Sequence, residues 1–325
     1  MMQETTGSPK VSVIIPSYNT AQYIVETLDS VCVQTFMDYE VIVINDGSPD
    51  TAQLERALQP YRDAITYLKK PNGGLSSARN FGIRAARGQY VALLDSDDLW
   101  EPNYLETQVA ALDADPAIAV SYANATIFGD SADAGRDYMS VFPSEGEVTL
   151  QSLVNLECNV LVSALVRREM FERVGLFDES LRTNEDFDRW LRIAHAGGRF
   201  VYHRRPLWRY RKRAGALSAD PVVMSAGALH VLEKLRRELE LTPADAAAID
   251  RCCAHLRAML QLHQGKRAFF AGDFPTAKAA LTAANAQLKS RKLTLAVQAM
   301  RLSPRLLLRA YQARDRFVFG MNTKF

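Results

Sequence analysis

Three carboxylates fall within four positions of the segment YVALLDSDDLWEP, residues 90–102. Asp95, Asp97 and Asp98 follow an apolar run, and like charges this close destabilise a chain unless a cation or strong donors neutralise them. The Asp-x-Asp spacing offers hard oxygen ligands suited to Mg²⁺ or Mn²⁺, which take further ligands from water and substrate phosphates. Such a metal would make a diphosphate a better leaving group. The alternative is that these acids cap the helix expected after Pro102.

Two other segments carry side chains that could bind a nucleotide. Asp46 in INDGS could accept hydrogen bonds from a nucleobase N–H or a ribose hydroxyl, or could be an ordinary turn aspartate. Arg79 in GGLSSARN could pair with phosphate or form a surface salt bridge. The chain has neither a GxxxxGK(S/T) phosphate loop nor a GxGxxG segment behind a strand. This argues against a P-loop ATPase and weakens a dinucleotide-binding interpretation.

The elements that must position these residues alternate between two periods. Apolar, β-branched runs predict strands buried on both faces at residues 11–16, 40–45, 64–68 and 90–94. Helical patterns lie between them at residues 21–33, 51–59 and 75–87. This order predicts a parallel sheet, in which ligands bind beyond the carboxyl ends of the strands. The segments PSYN, NDGS, KKPNGGLSSARN and DSDD all fall there, so we expect them to converge on one crevice.

The rest of the chain changes in character near residue 220. Residues 103–113 predict a helix and AVSYANATIFG predicts an inner strand, followed by a polar loop over 130–147 that could act as a lid or an acceptor loop. Beyond Pro221 the composition turns to Ala, Leu and Arg at helical spacing, with helix starts at LTPAD and LSPR. We expect a domain over 1–220 and a region of about five helices over 221–325. Within that region, GKRAFFAGDFPTAKAALTAA predicts a packed helical hairpin.

The composition limits the class of protein. The 325 residues are 48% hydrophobic and 23% charged, which is typical of a soluble globular protein. No stretch approaches the ~20 apolar residues that span a bilayer, and the N-terminus lacks the apolar run of a signal peptide. We therefore expect a cytoplasmic protein. The four cysteines have neither metal-ligand nor disulfide spacing.

The C-terminal end is basic. Residues 289–325 carry nine Lys or Arg against one acid, a charge of +8 in a chain of net charge +2, so the remainder carries −6. This asymmetry suggests an anionic partner for the tail. RLSPRLLLRAYQARDRFVFG predicts a basic, apolar-rich helix that could lie in the interface of an anionic membrane, at its cytoplasmic face, or pack on its own protein. Nucleic acid is not expected as a partner, because no aromatic stacking platform or recognised module is present.

The motifs together resemble one enzyme family. VSVIIPSYN, VIVINDGSPD, NGGLSSARNFGI, YVALLDSDDLWEP, VGLFDESLRTNEDFDRWLRIAHAG and WRYRKRAGALS stand in the order and spacing of family 2 glycosyltransferases of the GT-A fold. The resemblance covers residues 9–218, about two-thirds of the chain. It implies a Rossmann-like, mostly parallel α/β sheet flanked by helices. It also implies inverting transfer of a sugar from a nucleotide-diphosphate sugar, most commonly a UDP-sugar, to a hydroxyl of a glycan or lipid-linked acceptor.

The resemblance also implies roles for individual residues. Asp186, the second acid of NED, matches the catalytic base, with Glu185 beside it; on residue type alone both could simply favour a helix N-terminus. Asp95 and Asp97 match the pair that addresses the ribose and the diphosphate-bound Mn²⁺ or Mg²⁺, with Asp97 the better metal ligand. The implied nucleotide-binding positions are Pro16, Tyr18, Asn19, Asp46, Arg79, Asp95 and Ser96.

Two further positions have alternatives. Trp190, one turn after Asp186, could stack on a sugar or be a core aromatic residue. Arg213 stands where many family members have a His that assists the metal or the diphosphate. An arginine could hold the diphosphate by charge and lessen dependence on the metal, or the loop could be rearranged.

Two other classes of protein stay open on the sequence. The first is a nucleotidyltransferase, for which PSYNTAQYI is a poor Gly-rich phosphate loop. The second is a non-catalytic nucleotide-sugar-binding or scaffold protein that keeps the fold without turnover. The sequence does not fix the oligomeric state, and an oligomer is compatible with it.

Overall fold

A computed structural model describes residues 7–213 and 220–319, together with the side chains of all of these except 313–319. The chain divides into two compact units, Met1–Ala219 and Asp220–Phe325. Two predicted segments lie partly outside the described residues. These are the end of YRKRAGALS, from residue 214 onward, and the end of the basic tail, from residue 320 onward.

Within residues 7–213 one mixed sheet forms the first unit. Its strands are β1 Val11–Ser17, β2 Tyr39–Asp46, β3 Thr66–Lys70, β4 Tyr90–Leu93, β5 Leu99–Trp100, β6 Ile118–Gly129, β7 Ala164–Arg167 and β8 Arg199–Lys212. They lie in the order β3-β2-β1-β4-β7-β6-β8-β5. The pairs β1 with β2, β1 with β4, β2 with β3 and β6 with β8 are parallel, whereas β7 runs antiparallel to both β4 and β6, and β5 runs antiparallel to β8. The predicted mostly parallel sheet is confirmed.

Helices connect and flank these strands. They are α1 Ile24–Cys32, α2 Thr51–Leu58, α3 Leu75–Ala85, α4 Tyr104–Ala114, α5 Tyr138–Val141, α6 Leu150–Val154, α7 Arg168–Val174 and α8 Glu185–His195. α1 begins later than the predicted residue 21, because Thr20 O accepts from the backbone N–H of Tyr23 and of Ile24 in a preceding turn. The expectation that all four early strands are buried on both faces is wrong for β3. This strand lies at the edge of the sheet and is half exposed.

Close packing holds α3 against β1 and β2. A Cβ at Gly82 would lie 2.6 Å from Ile44 Cδ1 and 2.7 Å from Ile14 Cγ2. Only glycine therefore allows this approach between helix and sheet. The helix begins after Gly74, whose φ of +87° lies in the region that favours glycine.

Residues 220–319 form five helices, in agreement with the prediction. They are α9 Pro221–Glu238, α10 Pro243–Phe270, α11 Phe274–Leu288, α12 Arg291–Leu302 and α13 Pro304–Phe319. The side chains that cap the starts of α9 to α12 are Asp220, Thr242, Asp273 and Ser290. α10 and α11 form the predicted hairpin, with Gly265 so close to Leu281 that a Cβ would lie 2.7 Å from the leucine side chain. Across the described part of the chain, no helix is long and apolar enough to cross a membrane.

Candidate active site

Hydrogen bonds tie the loops after β1, β2 and β4 to one another. The hydroxyl of Thr20 lies 2.9 Å from that of Ser17 and 2.7 Å from that of Ser96, which joins the β1 loop to the DSDD loop. The backbone N–H of Asn19 donates to Ser48 Oγ at 2.7 Å and joins the β1 loop to the β2 loop. The structure therefore brings these loops together as expected. Ser96 is buried among the hydroxyls.

The nucleotide candidates at the end of β1 differ in exposure. Pro16 is buried in the strand and pairs in register with Ile44 of β2. Tyr18, directly after β1, is 50% exposed. An aromatic ring with an open face can stack on a nucleobase. Tyr18 is thus available for contact with a base, whereas Pro16 shapes the strand behind it.

Asp46 fixes the turn between β3 and α3. Its Oδ1 accepts from Lys70 Nζ at 2.6 Å and from the N–H of Gly73 at 3.0 Å, and its Oδ2 accepts from the N–H of Gly74 at 2.8 Å. A carboxylate has about four acceptor sites, so about one on Oδ2 remains for a ligand. Asp46 therefore does more than an ordinary turn aspartate, because it holds the glycine turn that begins α3.

The first two acids of the DSDD loop each pair with an arginine from another element. Asp95 Oδ1 accepts from Arg79 Nη2 at 2.7 Å, and Asp97 Oδ2 accepts from Arg213 Nε at 2.6 Å. Burial and the charge of Asp95 raise the pKa of Asp97, while Arg213 acts to lower it. The alternative that the acids cap the next helix is wrong, because α4 begins after Asn103.

Two arginines at the end of β8, Arg211 and Arg213, contact the DSDD loop. Arg211 donates from its backbone N–H to Asp98 Oδ1 at 2.8 Å and from Nε to the carbonyl of Asp97 at 2.6 Å. The guanidinium groups of Arg211 and Arg213 lie 4.7 Å and 5.7 Å from the ring centre of Tyr23. Burial and the neighbouring acids raise the pKa of Asp98 well above its usual value. Asp98 thus anchors the loop to β8. The guanidinium of Arg213 pairs with Asp97, the candidate metal ligand.

Arg79 connects the DSDD loop to the start of α8. Its side chain is 1% exposed, and it donates from Nη2 to Asp95 and from Nη1 to Glu185 Oε1 at 2.6 Å. Glu185 lies 106 positions further along the chain. Burial opposes the charge of Arg79, but Asp95 and Glu185 outweigh it and raise the pKa of the guanidinium. The alternative that Arg79 forms an ordinary surface salt bridge is therefore wrong.

Asp186 follows Glu185 in the first turn of α8. Its Oδ1 accepts from the N–H of Phe187 at 2.8 Å. Burial, and then the charge of Glu185, raise the pKa of Asp186 to about 7, while Arg79 acts to lower it. A base with a pKa near the working pH is well suited to proton transfer. Since Glu185 is committed to Arg79, Asp186 is the better candidate for the base.

Trp190 belongs to the core of the first unit. Its ring is 1% exposed and meets the ring of Phe200 edge-on, with 6.3 Å between the ring centres. A ring without an open face cannot stack on a sugar. The sugar-stacking alternative for Trp190 is therefore wrong, and the core alternative is correct.

The sequence did not predict the aromatic cluster that the 130–147 loop forms with β8. In the 130–147 loop, the ring of Tyr138 lies 4.9 Å from that of Phe142 and 5.8 Å from that of Tyr210. Burial, the neighbouring Tyr210 and then the charge of Asp186 raise the pKa of Tyr138. Phe142 is half exposed. The spacing of four between Tyr138 and Phe142 is the signal that could have marked a helical turn in this loop.

The carboxylates suit a hard divalent cation only together with a substrate. Across the described residues, no group of three or more His, Cys, Asp or Glu side chains is arranged to hold a metal ion. Asp95 and Asp97 offer the oxygen ligands that Mg²⁺ and Mn²⁺ prefer, although each carboxylate is paired with an arginine. Such ions usually keep several waters and bind substrate phosphates. Two carboxylates and a diphosphate therefore form a suitable ligand set.

Comparison with known proteins identifies the family. Residues 12–175 match the family model described as Glycosyl transferase family 2. The match covers half of the chain and contains the DSDD loop, but it ends before α8. The chain belongs to glycosyl transferase family 2.

Relatives in sequence are named as glycosyltransferases. A Rickettsia typhi protein named as an uncharacterized glycosyltransferase is 34% identical over 215 residues, which are 62% of this chain and 64% of that protein. EpsJ of Bacillus subtilis, also named as a glycosyltransferase, is 33% identical over 224 residues, 66% of this chain and 64% of its own. The chain thus spans less than two thirds of the length of these relatives.

Solved structures share the fold at low sequence identity. Residues 1–349 of S. aureus TarS in complex with UDP-GlcNAc match with a TM-score of 0.62 and 20% identity, over 94% of this chain and 92% of that one. The mannosyltransferase PcManGT from Pyrobaculum calidifontis, in complex with GDP-Man and Mn²⁺, matches with a TM-score of 0.60 and 22% identity, over 95% and 84%. These likenesses confirm the predicted fold class.

Proposed function

We propose that the chain is a metal-dependent, inverting glycosyltransferase that uses a nucleotide-diphosphate sugar, with a UDP-sugar as the preferred donor. The observation that carries this proposal is the buried guanidinium of Arg79, which pairs with Asp95 on one side and Glu185 on the other. It joins the candidate donor-binding loop to the helix that bears the candidate base. Holding two reactants in a fixed relation removes much of the entropic barrier to their reaction.

In the proposed reaction, Asp186 accepts the proton of the acceptor hydroxyl as the hydroxyl oxygen attacks the anomeric carbon. The new carbon–oxygen bond forms on the face opposite the leaving group. The bond from the anomeric carbon to the diphosphate breaks, and its electron pair passes to the diphosphate oxygen. The pKa of about 7 for Asp186 supports its part in this step.

The donor would lie across the loops after β1, β2 and β4. Tyr18 would contact the base, Asp46 the base or ribose through its remaining acceptor site, and Asp95 the ribose. When bound, Mn²⁺ or Mg²⁺ held by Asp97 and Asp95 would neutralise the charge of the diphosphate. Arg213 pairs with Asp97. Its guanidinium would therefore be close enough to neutralise part of the diphosphate charge.

The acceptor would be a hydroxyl of a glycan or of a lipid-linked sugar. The half-exposed Phe142, beside Tyr138, offers an apolar ring face of the kind that sugar rings pack against. Asp186 is among the groups that raise the pKa of Tyr138, which supports an acceptor site beside this aromatic pair. A lipid-linked acceptor would bring the enzyme to a membrane surface, where the basic end of the chain would face anionic lipid.

The test is calorimetric titration of the chain with UDP, GDP, CDP and dTDP, each with Mn²⁺ and with EDTA. We expect UDP to bind most tightly of the four, and far more tightly with the metal than in EDTA. Preference for GDP would keep the reaction class and change the donor. If no nucleotide binds to the folded chain, the proposal fails in favour of a scaffold protein that keeps the fold without turnover.

Two substitutions separate the roles of the acids. Asp97→Asn should abolish metal-dependent nucleotide binding, whereas Asp186→Asn should leave that binding intact and stop transfer. Asp115→Asn is the matched control, because Asp115 pairs with Arg199 at the surface. Equal loss of nucleotide binding in the Asp97 and Asp186 variants would contradict this division of roles.

A further inference from the structure

Three leucines are strongly exposed on α12 and α13. Leu295, Leu302 and Leu306 are 66%, 89% and 68% exposed. Leu295 and Leu302 are seven positions apart, about two helical turns, so they lie on the same face of α12. The residues buried on the other side of this helix are Val297 and Met300. These leucines are therefore not needed for the core of the second unit.

The same two helices carry exposed basic side chains. The exposed bases on the two helices are Arg291, Lys292, Arg301, Arg305 and Arg309. From residue 274 to residue 314 the sequence contains eight Lys or Arg and no acid. We call these five basic residues together with the three leucines the basic leucine surface. Its charges have no acid in their own segment to balance them.

One face of α13 is already used inside the second unit. Leu307, Leu308 and Tyr311 pack against the cluster that contains Phe269, and the rings of Tyr311 and Phe269 lie 6.1 Å apart. Leu306 and Arg309 point away from that cluster and are exposed. The alternative that the tail helix packs on its own protein thus holds for one face of residues 304–312, while the membrane alternative stays a prediction. One face packs on the protein and the other is open to a partner.

We infer that the basic leucine surface binds the interface of an anionic lipid bilayer. Leucine side chains can enter the boundary between headgroups and acyl chains, while Arg and Lys contact the anionic headgroups. Nucleic acid fits less well, because the aromatic residue of these two helices within residues 291–312, Tyr311, packs inside the unit instead of forming a stacking platform. A second copy of the same surface would bring like charges together. The inference concerns the second unit and stands whether or not the first unit transfers sugar.

The experiment is cosedimentation of the full chain with vesicles of phosphatidylcholine alone and of phosphatidylcholine mixed with phosphatidylglycerol. We expect binding to the anionic vesicles, weakening as salt is added, and little binding to the neutral ones. The combined change Leu295→Ser, Leu302→Ser and Leu306→Ser should lower the partition coefficient at least about tenfold.

A second variant tests the charges, and a third is the control. Arg291→Gln, Arg305→Gln and Arg309→Gln together should lower the partition coefficient on the order of 100-fold, at about fivefold for each charge. Met37→Ser removes an apolar side chain that is 56% exposed outside this surface, and it should bind as the unchanged chain does. Circular dichroism of each variant shows whether the helices are retained.

Several results would overturn the inference. These are equal binding to neutral and anionic vesicles, or leucine variants that are folded and bind as tightly as the unchanged chain. Absence of binding to any vesicle would do the same. A dimer that the leucine substitutions dissociate, without vesicle binding, would assign the surface to a second copy of the chain. None of these results depends on glycosyl transfer, so they are distinct from failure of the proposed reaction.

Discussion

Replacing Arg79 with leucine tests the link between the DSDD loop and α8. The substitution would leave Glu185, which is 9% exposed, as an unpaired buried carboxylate. Removing one partner of a buried ion pair costs about 3–5 kcal/mol. Asp95 is 27% exposed and can regain water, so the loss of its ion pair with Arg79 adds little to this cost. For a unit of this size 1 kcal/mol corresponds to about 2–4 °C, so Tm should fall on the order of 10 °C.

Differential scanning calorimetry of the full chain measures this loss. Arg84→Leu is the matched control on the same helix, because Arg84 is 58% exposed and lies 3.8 Å from Glu179, a surface pair worth about 0–1 kcal/mol. Adding Glu185→Gln to Arg79→Leu should recover part of the loss, since it removes the unpaired charge. If Arg79→Leu lowers Tm no more than Arg84→Leu does, the buried link does not stabilise the unit and the reasoning is refuted.

Three further predictions concern protons and metal. Transfer at saturating substrates should increase as pH rises through about 7, because only the ionised carboxylate of Asp186 can accept a proton, and a pH profile without this rise would contradict the assignment. Folding raises the pKa of Asp186 from 3.8 to about 7, so the folded chain binds this proton more tightly than the unfolded chain does. The free energy of unfolding should therefore fall as pH rises from about 4 to 7, and it should fall less in Asp186→Asn. Arg213→Ala removes a cation 2.6 Å from Asp97. Calorimetry should therefore find tighter Mn²⁺ binding to the nucleotide-free chain and weaker UDP binding in EDTA. Unchanged affinities for both ligands would show that Arg213 does not compete with the metal.

The sheet and the position of its loops could be predicted because their signals are local. Short apolar runs such as VSVIIP mark strands, and alternation with helices specifies parallel pairing. Because β1, β2 and β4 are parallel, their carboxyl ends must lie at one edge of the sheet. Asp46 and Asp95 therefore lie at the same edge of the sheet whatever the rest of the fold does. The correct placement of these residues required no information from distant parts of the chain.

The contacts that define the site could not be predicted because they join distant segments. Arg79 and Glu185 are separated by 106 positions, and nothing near either residue shows that the arginine is buried. A helical arginine is usually a surface residue, so the local sequence of Arg79 does not indicate its burial. The sugar-stacking alternative for Trp190 was wrong for a related reason. Its helical spacing from Asp186 does not indicate that the side chain packs on Phe200.

The arrangement of charges in the DSDD loop has a consequence for the order of binding. Asp95 and Asp97 are neutralised within the chain by Arg79 and Arg213, so the loop is stable without an added cation. A metal at Asp97 must share the carboxylate with Arg213 or displace it. A diphosphate attracts the same guanidinium, and drawing Arg213 toward the diphosphate frees Asp97 for the metal. Because coupling between two ligands is reciprocal, the metal must then strengthen donor binding by the same factor by which the donor strengthens metal binding. We therefore expect metal and donor to bind more tightly together than either does alone.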